Sequence, residues 1–147
     1  MESWRNKVTE DTQIMLETLL DKKKETDGLF SRYELYNNLT MILAVLFVIY
    51  TPFFLYFQHE ENILFLITDF IMNIFHIIWF VIIAYFHLKQ LGYLANAEKF
   101  KKKFEALRVE TIEHLNNTWY INEHSPTRDQ ISRYMEQYGI NVRYKSN

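Results

Sequence analysis

Two apolar stretches, separated by five residues, constrain the fold of this chain more than any other feature. The first, Leu39–Phe57, has 19 residues and no charged side chain, and the second, Ile63–Leu88, has 26 residues and Asp69 as its one acidic side chain. About 20 apolar residues in a helix cross a hydrocarbon core of roughly 30 Å. A chain of 147 residues has too little other material to cover two such helices in water, so the pattern predicts a transmembrane helical hairpin.

The polar flanks of the hairpin also have helical patterns. Glycine and proline number 3 and 2, too few for a turn-rich β fold. Before the first stretch, Leu16, Leu19 and Leu20 follow helical spacing, and after the second stretch Phe104 and Leu115 belong to a similar apolar row. The chain is therefore predicted to be all-α, with amphipathic cytoplasmic helices at both ends that pack as an antiparallel pair or as a dimer of such pairs.

These patterns divide the chain into six predicted segments. They are a cytoplasmic amphipathic helical segment at 1–38, transmembrane helix 1 at 39–57, a short external loop at 58–62, transmembrane helix 2 at 63–88, a cytoplasmic continuation of helix 2 at 89–120, and a short C-terminal helix plus extended tail at 121–147. The charged run Lys22–Gly28 is expected to interrupt the first segment. In the last segment, Ser125 is the predicted N-cap, Pro126 the first helical residue and Gly139 the stop signal.

Lysine and arginine are confined to the two flanks. Six precede the first apolar stretch, ten follow the second, and none lies in the intervening loop, which carries Glu60 and Glu61. Positively charged residues near a membrane favour the cytoplasmic side. The sequence therefore predicts a multi-pass protein of the plasma membrane, with both termini in the cytoplasm and the loop outside.

Polar side chains interrupt the second apolar stretch. At about 100° per residue, Asp69, Asn73 and His76 fall on one face of a helix. An isolated ionised aspartate in a span costs about 2.5 to 3.5 kcal/mol, so Asp69 is expected to face protein or water and to be protonated or hydrogen-bonded. Counted inward from the outer surface, Asp69 lies level with Thr51 of the antiparallel first helix, and His76 lies level with Ala44.

Two roles for the polar face of Asp69, Asn73, His76 and Thr51 stay open. As hydrogen-bonding groups they would tie the hairpin together or join two hairpins into a four-helix dimer, each contact contributing about 0.6 to 2 kcal/mol. As ionisable groups they would form a proton or cation pathway in an oligomer. No metal site is predicted, because Asp69 and His76 lie about 10 Å apart along one helix, too far to share an ion.

A lysine cluster follows the second stretch, and its members are Lys99, Lys101, Lys102 and Lys103. Lysines close to a bilayer attract anionic lipid, by about 1 kcal/mol for each well-placed side chain. A solvated helix face explains the cluster equally well.

The signatures of common enzyme classes are missing from the sequence. It has no phosphate-binding glycine loop, no nucleophile elbow and no histidine pair at zinc-protease spacing. The absence of cysteine also excludes thiol chemistry and zinc–thiolate sites. We therefore expect a non-enzymatic protein with no catalytic residue, no cofactor and no nucleic-acid partner.

The hairpin, the lysine-rich flanks and the tail "QYGINVRYK" together resemble the YpbF-like proteins, uncharacterised small two-span membrane proteins of spore-forming Gram-positive bacteria. The similarity covers the full length of the chain. It implies a bacterial plasma membrane with cytoplasmic ends. It transfers no functional residue, because that family has no assigned activity.

The function expected from these patterns is that of an adaptor, assembly or regulatory subunit acting through its cytoplasmic helices. Its partners would be the lipid bilayer and either further copies of the chain, in a homo-oligomer, or a larger membrane or cytoplasmic protein. The alternative is a small oligomeric proton or cation transport protein that uses Asp69, Asn73 and His76.

Overall fold

The structure, a computed structural model, describes residues 4–57, 62–118 and 125–143. Within these residues the chain is all-α, as predicted, and forms no strand. A short 3-10 helix at Arg5–Lys7 precedes four α-helices: α1 (Glu10–Phe57), α2 (Ile63–Met72), α3 (Ile74–Asn117) and α4 (Pro126–Glu136). Of the predicted external loop at 58–62, residues 58–61 lie outside the described residues, as do 119–120 of the predicted cytoplasmic continuation and 121–124 and 144–147 of the predicted C-terminal segment.

The chain divides into two compact units. The hairpin unit is Leu29–Ala95, and the terminal unit combines Met1–Gly28 with Asn96–Asn147. Among the residues that the structure describes, two helices, α1 and α3, are long and apolar enough to span a membrane.

Helix α1 runs without interruption for 48 residues, so the predicted break at Lys22–Gly28 is wrong. Salt bridges along the helix surface join Lys22 to Glu25 at 2.9 Å and Lys23 to Asp27 at 2.7 Å. Such pairs at three- and four-residue spacing stabilise a helix. The charged run therefore supports the helix that it was expected to interrupt.

The second apolar stretch is not one helix. Helix α2 ends at Met72 and α3 begins at Ile74, with Asn73 between them in an extended conformation, φ −67° and ψ 117°. This corrects the prediction of one continuous helix through residues 63–88. Beyond the break, α3 continues to Asn117 and includes most of the predicted cytoplasmic extension.

In the hairpin unit, α3 packs antiparallel to the second half of α1. The indole N–H of Trp79 donates to the carbonyl of Leu43 at 3.2 Å. Further along, the Gln90 amide donates to the Asn37 side chain at 2.9 Å. Three aromatic rings, those of Tyr36, Phe86 and Tyr93, pack near the same end of the unit.

The terminal unit has its own core, formed by residues from both ends of the chain. Leu16 and Leu19 of α1 and Leu115 of α3 are completely buried, as expected for a predicted antiparallel pair. The Thr12 hydroxyl lies 3.0 Å from Nε2 of His114 and joins the two helices. Helix α4 and the tail complete the core with Ile131, Met135, Ile140 and Val142.

Helix α4 confirms the predicted cap. The Ser125 hydroxyl accepts a hydrogen bond from the Arg128 N–H at 3.1 Å, and Pro126 is the first helical residue. Gly139 has a φ of +69°, a left-handed conformation that glycine adopts at little cost. The chain then leaves the helix, and the alternating residues Ile140 and Val142 point into the core with 1% of their surface exposed.

Candidate functional site

The polar residues of the second apolar stretch meet at the break between α2 and α3. Asn73 caps the new helix, because its side-chain oxygen accepts from the Phe75 N–H at 2.9 Å and its carbonyl accepts from the Ile77 N–H at 3.1 Å. Asparagine is a strong N-cap residue, since its side chain satisfies a backbone donor at the start of a helix. Asn73 thus starts a helix instead of lying on a face of one.

His76 takes over a backbone hydrogen bond that the break removes. In an unbroken helix the Phe70 carbonyl would accept from the N–H of Ile74, four residues on. Here Nδ1 of His76 lies 2.6 Å from that carbonyl, and because a carbonyl can only accept, Nδ1 carries the proton. The imidazole therefore satisfies a backbone group that an apolar environment would otherwise leave unpaired.

Aromatic rings enclose the imidazole. His76 is 1% exposed, and its Nε2 is buried with no hydrogen-bond partner among the described residues. The surrounding rings, with centroid distances to His76, are Phe70 at 4.3 Å, Phe54 at 4.7 Å, Tyr50 at 5.5 Å and Phe47 at 5.8 Å. The imidazole of His76 is therefore held between four aromatic rings.

The register of the hairpin differs from the one predicted by counting residues from the outer surface. His76 was expected level with Ala44, but it packs against Tyr50 and Phe54, further along α1. The count assumed an unbroken helix with 1.5 Å per residue, and the extended residue Asn73 changes both the spacing and the helix phase.

Asp69 and Thr51 are not hydrogen-bonded to each other. The Thr51 hydroxyl donates to the carbonyl of Phe47, on its own helix, at 2.9 Å. The Asp69 side chain is exposed on α2, and no hydrogen bond or ion pair to any described residue holds its carboxylate. A single chain therefore does not assemble Asp69, Asn73, His76 and Thr51 into one polar face.

The arrangement offers no metal centre. Within residues 4–57, 62–118 and 125–143, no group of three or more histidine, aspartate or glutamate side chains could hold an ion. His76 also has one ring nitrogen tied to the backbone. What the break does offer is an exposed carboxylate beside an interrupted helix.

The lysine cluster lies exposed on α3 in the terminal unit. Glu98 and Glu105 line the same shallow groove as two of its lysines. A third, Lys103, places its ammonium group 5.4 Å from the ring centroid of Phe100, a cation–π distance. The mixed charge is typical of a solvated helix face, and contact with anionic lipid stays a prediction.

Sequence reasoning missed two buried arginines that bind the tail. Arg128, 2% exposed, donates to the carbonyl of Val142 at 2.7 Å and to the Asn116 side chain at 3.2 Å. Arg108, 6% exposed, donates to the carbonyl of Asn141 at 2.8 Å. The sequence did carry one signal for this role. Arg128 lies three residues before the apolar Ile131, and this spacing places both on the buried face of α4.

Comparison with known protein families gives a match over most of the chain. The model of a family described as "Protein of unknown function (DUF2663)" matches residues 15–145, nearly the whole chain. No curated protein and no solved structure matches it.

Proposed function

The chain belongs to the DUF2663 family, and from this premise we propose that it is an integral membrane protein serving as a non-enzymatic adaptor, assembly or regulatory subunit. Its hairpin unit would hold the terminal unit at the cytoplasmic side of the plasma membrane, where the terminal unit binds a larger protein. The observation that carries the proposal is the terminal unit itself, a separate core built from both ends of the chain.

The exposure of the apolar helices supports membrane insertion. In the most apolar 18-residue window of α1, and likewise of α3, only 6% of the residues are buried. The core helix of a water-soluble protein would instead bury such a window. Ile49, Phe53 and Val81 are among the side chains left more than half exposed, and a surface of this size needs lipid or protein to cover it.

The topology of the two units supports cytoplasmic termini. Because residues 4–28 and 96–143 contribute to one core, the two flanks of the hairpin belong on the same side of a membrane. The absence of lysine and arginine from the loop favours the outside for the loop and the inside for the flanks. The resemblance to YpbF-like proteins supports a bacterial cell membrane.

The surface of the terminal unit supports binding to a partner. Most of its large apolar side chains are at least partly covered, but Ile14 is 55% and Tyr138 is 43% exposed. Exposed aromatic side chains are frequent energetic centres of protein interfaces. The Tyr138 ring also packs edge-to-face against Tyr134 with a centroid distance of 5.4 Å, a contact that supports one side of the exposed ring.

A photo-cross-linking side chain at position 138 tests the adaptor role. In intact membranes we expect it to join the chain to one other protein of discrete mass, with a yield several times that of the same side chain at Lys24. Lys24 is an exposed, charged position in the same unit and serves as the matched control. Equal yields at the two positions, or no adduct from Tyr138, would contradict the proposal.

The second candidate function is proton or cation transport, which the buried His76 and the exposed Asp69 favour. The ring held between Phe70 and the surrounding aromatic side chains argues against a mobile relay within one chain. We therefore expect liposomes containing the protein to take up protons no faster than empty liposomes, with no change on Asp69→Asn. If the wild-type protein speeds proton uptake and Asp69→Asn abolishes that uptake, the result would establish transport instead.

A further inference from the structure

We propose that the α2 face carrying Asp69 binds a second copy of the same chain, so that two hairpin units form a symmetric four-helix dimer within the membrane. This inference rests on the proposed membrane insertion. The site of the proposed contact consists of the exposed carboxylate of Asp69 and the neighbouring helix break at Asn73. The proposed partner at this site is a second copy of the chain.

At its depth in the membrane, the break needs protein or an aqueous cavity around it. Ile63 begins α2, and at 1.5 Å per residue Asp69 lies about 9 Å and Asn73 about 15 Å further along the helix axis. Asn73 is therefore near the middle of a hydrocarbon core of roughly 30 Å, and Asp69 is about one turn closer to its outer surface. Irregular backbone at this depth is tolerated only when protein or an aqueous cavity surrounds it. A carboxylate there also needs a hydrogen-bond donor.

The polar groups at the break are suited to a copy of themselves. Two chains inserted in the same direction are related by a two-fold axis along the membrane normal, so each residue meets its own copy at one depth. Two Asp69 carboxyl groups can then share one proton, the acid donating to the carboxylate. The Asn73 NH₂ group, which makes no hydrogen bond within the described residues, adds a donor about one turn deeper.

Apolar side chains flank this polar centre. Phe65, 63% exposed, and Met72, 73% exposed, lie about 40° and 60° from Asp69 around the helix axis. Ile67 and Ile71 are exposed too, at 49% and 63%, but each lies about 160° from Asp69. Phe65 and Met72 therefore belong to the proposed dimer face of α2, and Ile67 and Ile71 belong to the face that contacts lipid.

Single cysteines at these positions test the inference, since the chain has none of its own. Oxidation in intact membranes is expected to give adducts of twice the chain mass from Phe65→Cys and Met72→Cys. The yield should be several times that from the matched controls Ile67→Cys and Ile71→Cys, which lie within about 3 Å of the same depths. In liposomes, Asp69→Leu should lower the dimer association constant about tenfold, whereas Asp69→Asn, which keeps a donor and an acceptor, should retain it.

Four results would overturn the dimer. They are equal yields at all four positions, monomer alone, an adduct with a different protein, and equal association constants for Asp69→Leu and Asp69→Asn. Alkaline extraction of the same membranes separates this failure from that of the proposed function. If the protein stays in the membrane and Tyr138 still reaches its partner, the dimer alone is refuted; release by alkali would refute membrane insertion and the dimer with it.

Discussion

Arg128→Ala is expected to lower the free energy of unfolding of the terminal unit by about 3 kcal/mol. Arg128 is 2% exposed and donates to the Val142 carbonyl and to the Asn116 side chain. Its removal leaves a buried carbonyl without a charged donor and opens a cavity in the core. Chemical unfolding of the full chain in detergent micelles measures the loss.

The matched control is Arg133→Ala, which removes the same side chain from an exposed position of the same helix. A surface change of this kind should alter stability by less than about 0.5 kcal/mol. Hydrogen exchange adds a local readout, because Arg128→Ala should raise exchange at residues 140–143 before the rest of the unit. Equal losses for the two arginines would refute the role given to Arg128.

His76→Leu is expected to destabilise the hairpin unit by about 2 to 3 kcal/mol, since it leaves the Phe70 carbonyl unpaired in apolar surroundings. Leucine fills much of the same space between the aromatic rings, so the hydrogen bond is the main loss. Unfolding in mixed detergent micelles gives the free energy. His87→Leu, an exposed histidine of the same helix, is the control and should change stability little.

A second substitution makes the His76 prediction more specific. Asn73→Ala removes the side-chain cap and favours a continuous helix through residues 63–88, in which the Phe70 carbonyl would accept from Ile74 instead. Asn73→Ala should therefore recover much of the stability lost in His76→Leu. Strictly additive losses in the double variant would show that His76 does not replace a missing backbone donor.

The apolar pattern predicted the helical class and both long apolar helices, because hydrophobic periodicity and length depend on residues close in sequence. The same reasoning failed at Lys22–Gly28. It treated lysine, glutamate and aspartate as a polar interruption, whereas ion pairs at three- and four-residue spacing make them a helix surface. The three- and four-residue spacing between opposite charges in this run was the sequence signal that would have predicted a continuous helix.

The break at Asn73 was harder to predict. A lone asparagine in an apolar stretch is compatible with a position on a helix face as well as with an N-cap. The residues around Asn73 include no glycine or proline that would indicate a break. The deciding interaction, between His76 and the Phe70 carbonyl, joins residues six apart and exists only after the helix has broken. The sequence therefore singled out Asn73 and His76 but placed them on one helix face, which the folded chain does not form.

The tail was predicted as an extended segment that docks on the membrane-proximal helices or on a partner, with no contact residue named. Ile140 and Val142 are buried against residues far away in the chain, and the arginines that donate to the tail carbonyls were not singled out from the sequence. Long-range packing of this kind leaves only a faint local pattern, here the alternation of two apolar residues after Gly139. Nothing in the periodicity of α3 or α4 alone indicates which residues the tail contacts.

The core of the terminal unit joins Trp4 and Leu16 near one end of the chain to Val142 near the other, which has a consequence for biosynthesis. A ribosome makes the chain from the N-terminus, so α1 and the whole hairpin emerge while the first leucines still lack their partners. Under the proposed membrane insertion, the hairpin can enter the bilayer before this core closes. Assembly would thus finish only when residues 140–142 arrive, and a chain stopped earlier would display an open apolar surface that quality-control proteases can recognise.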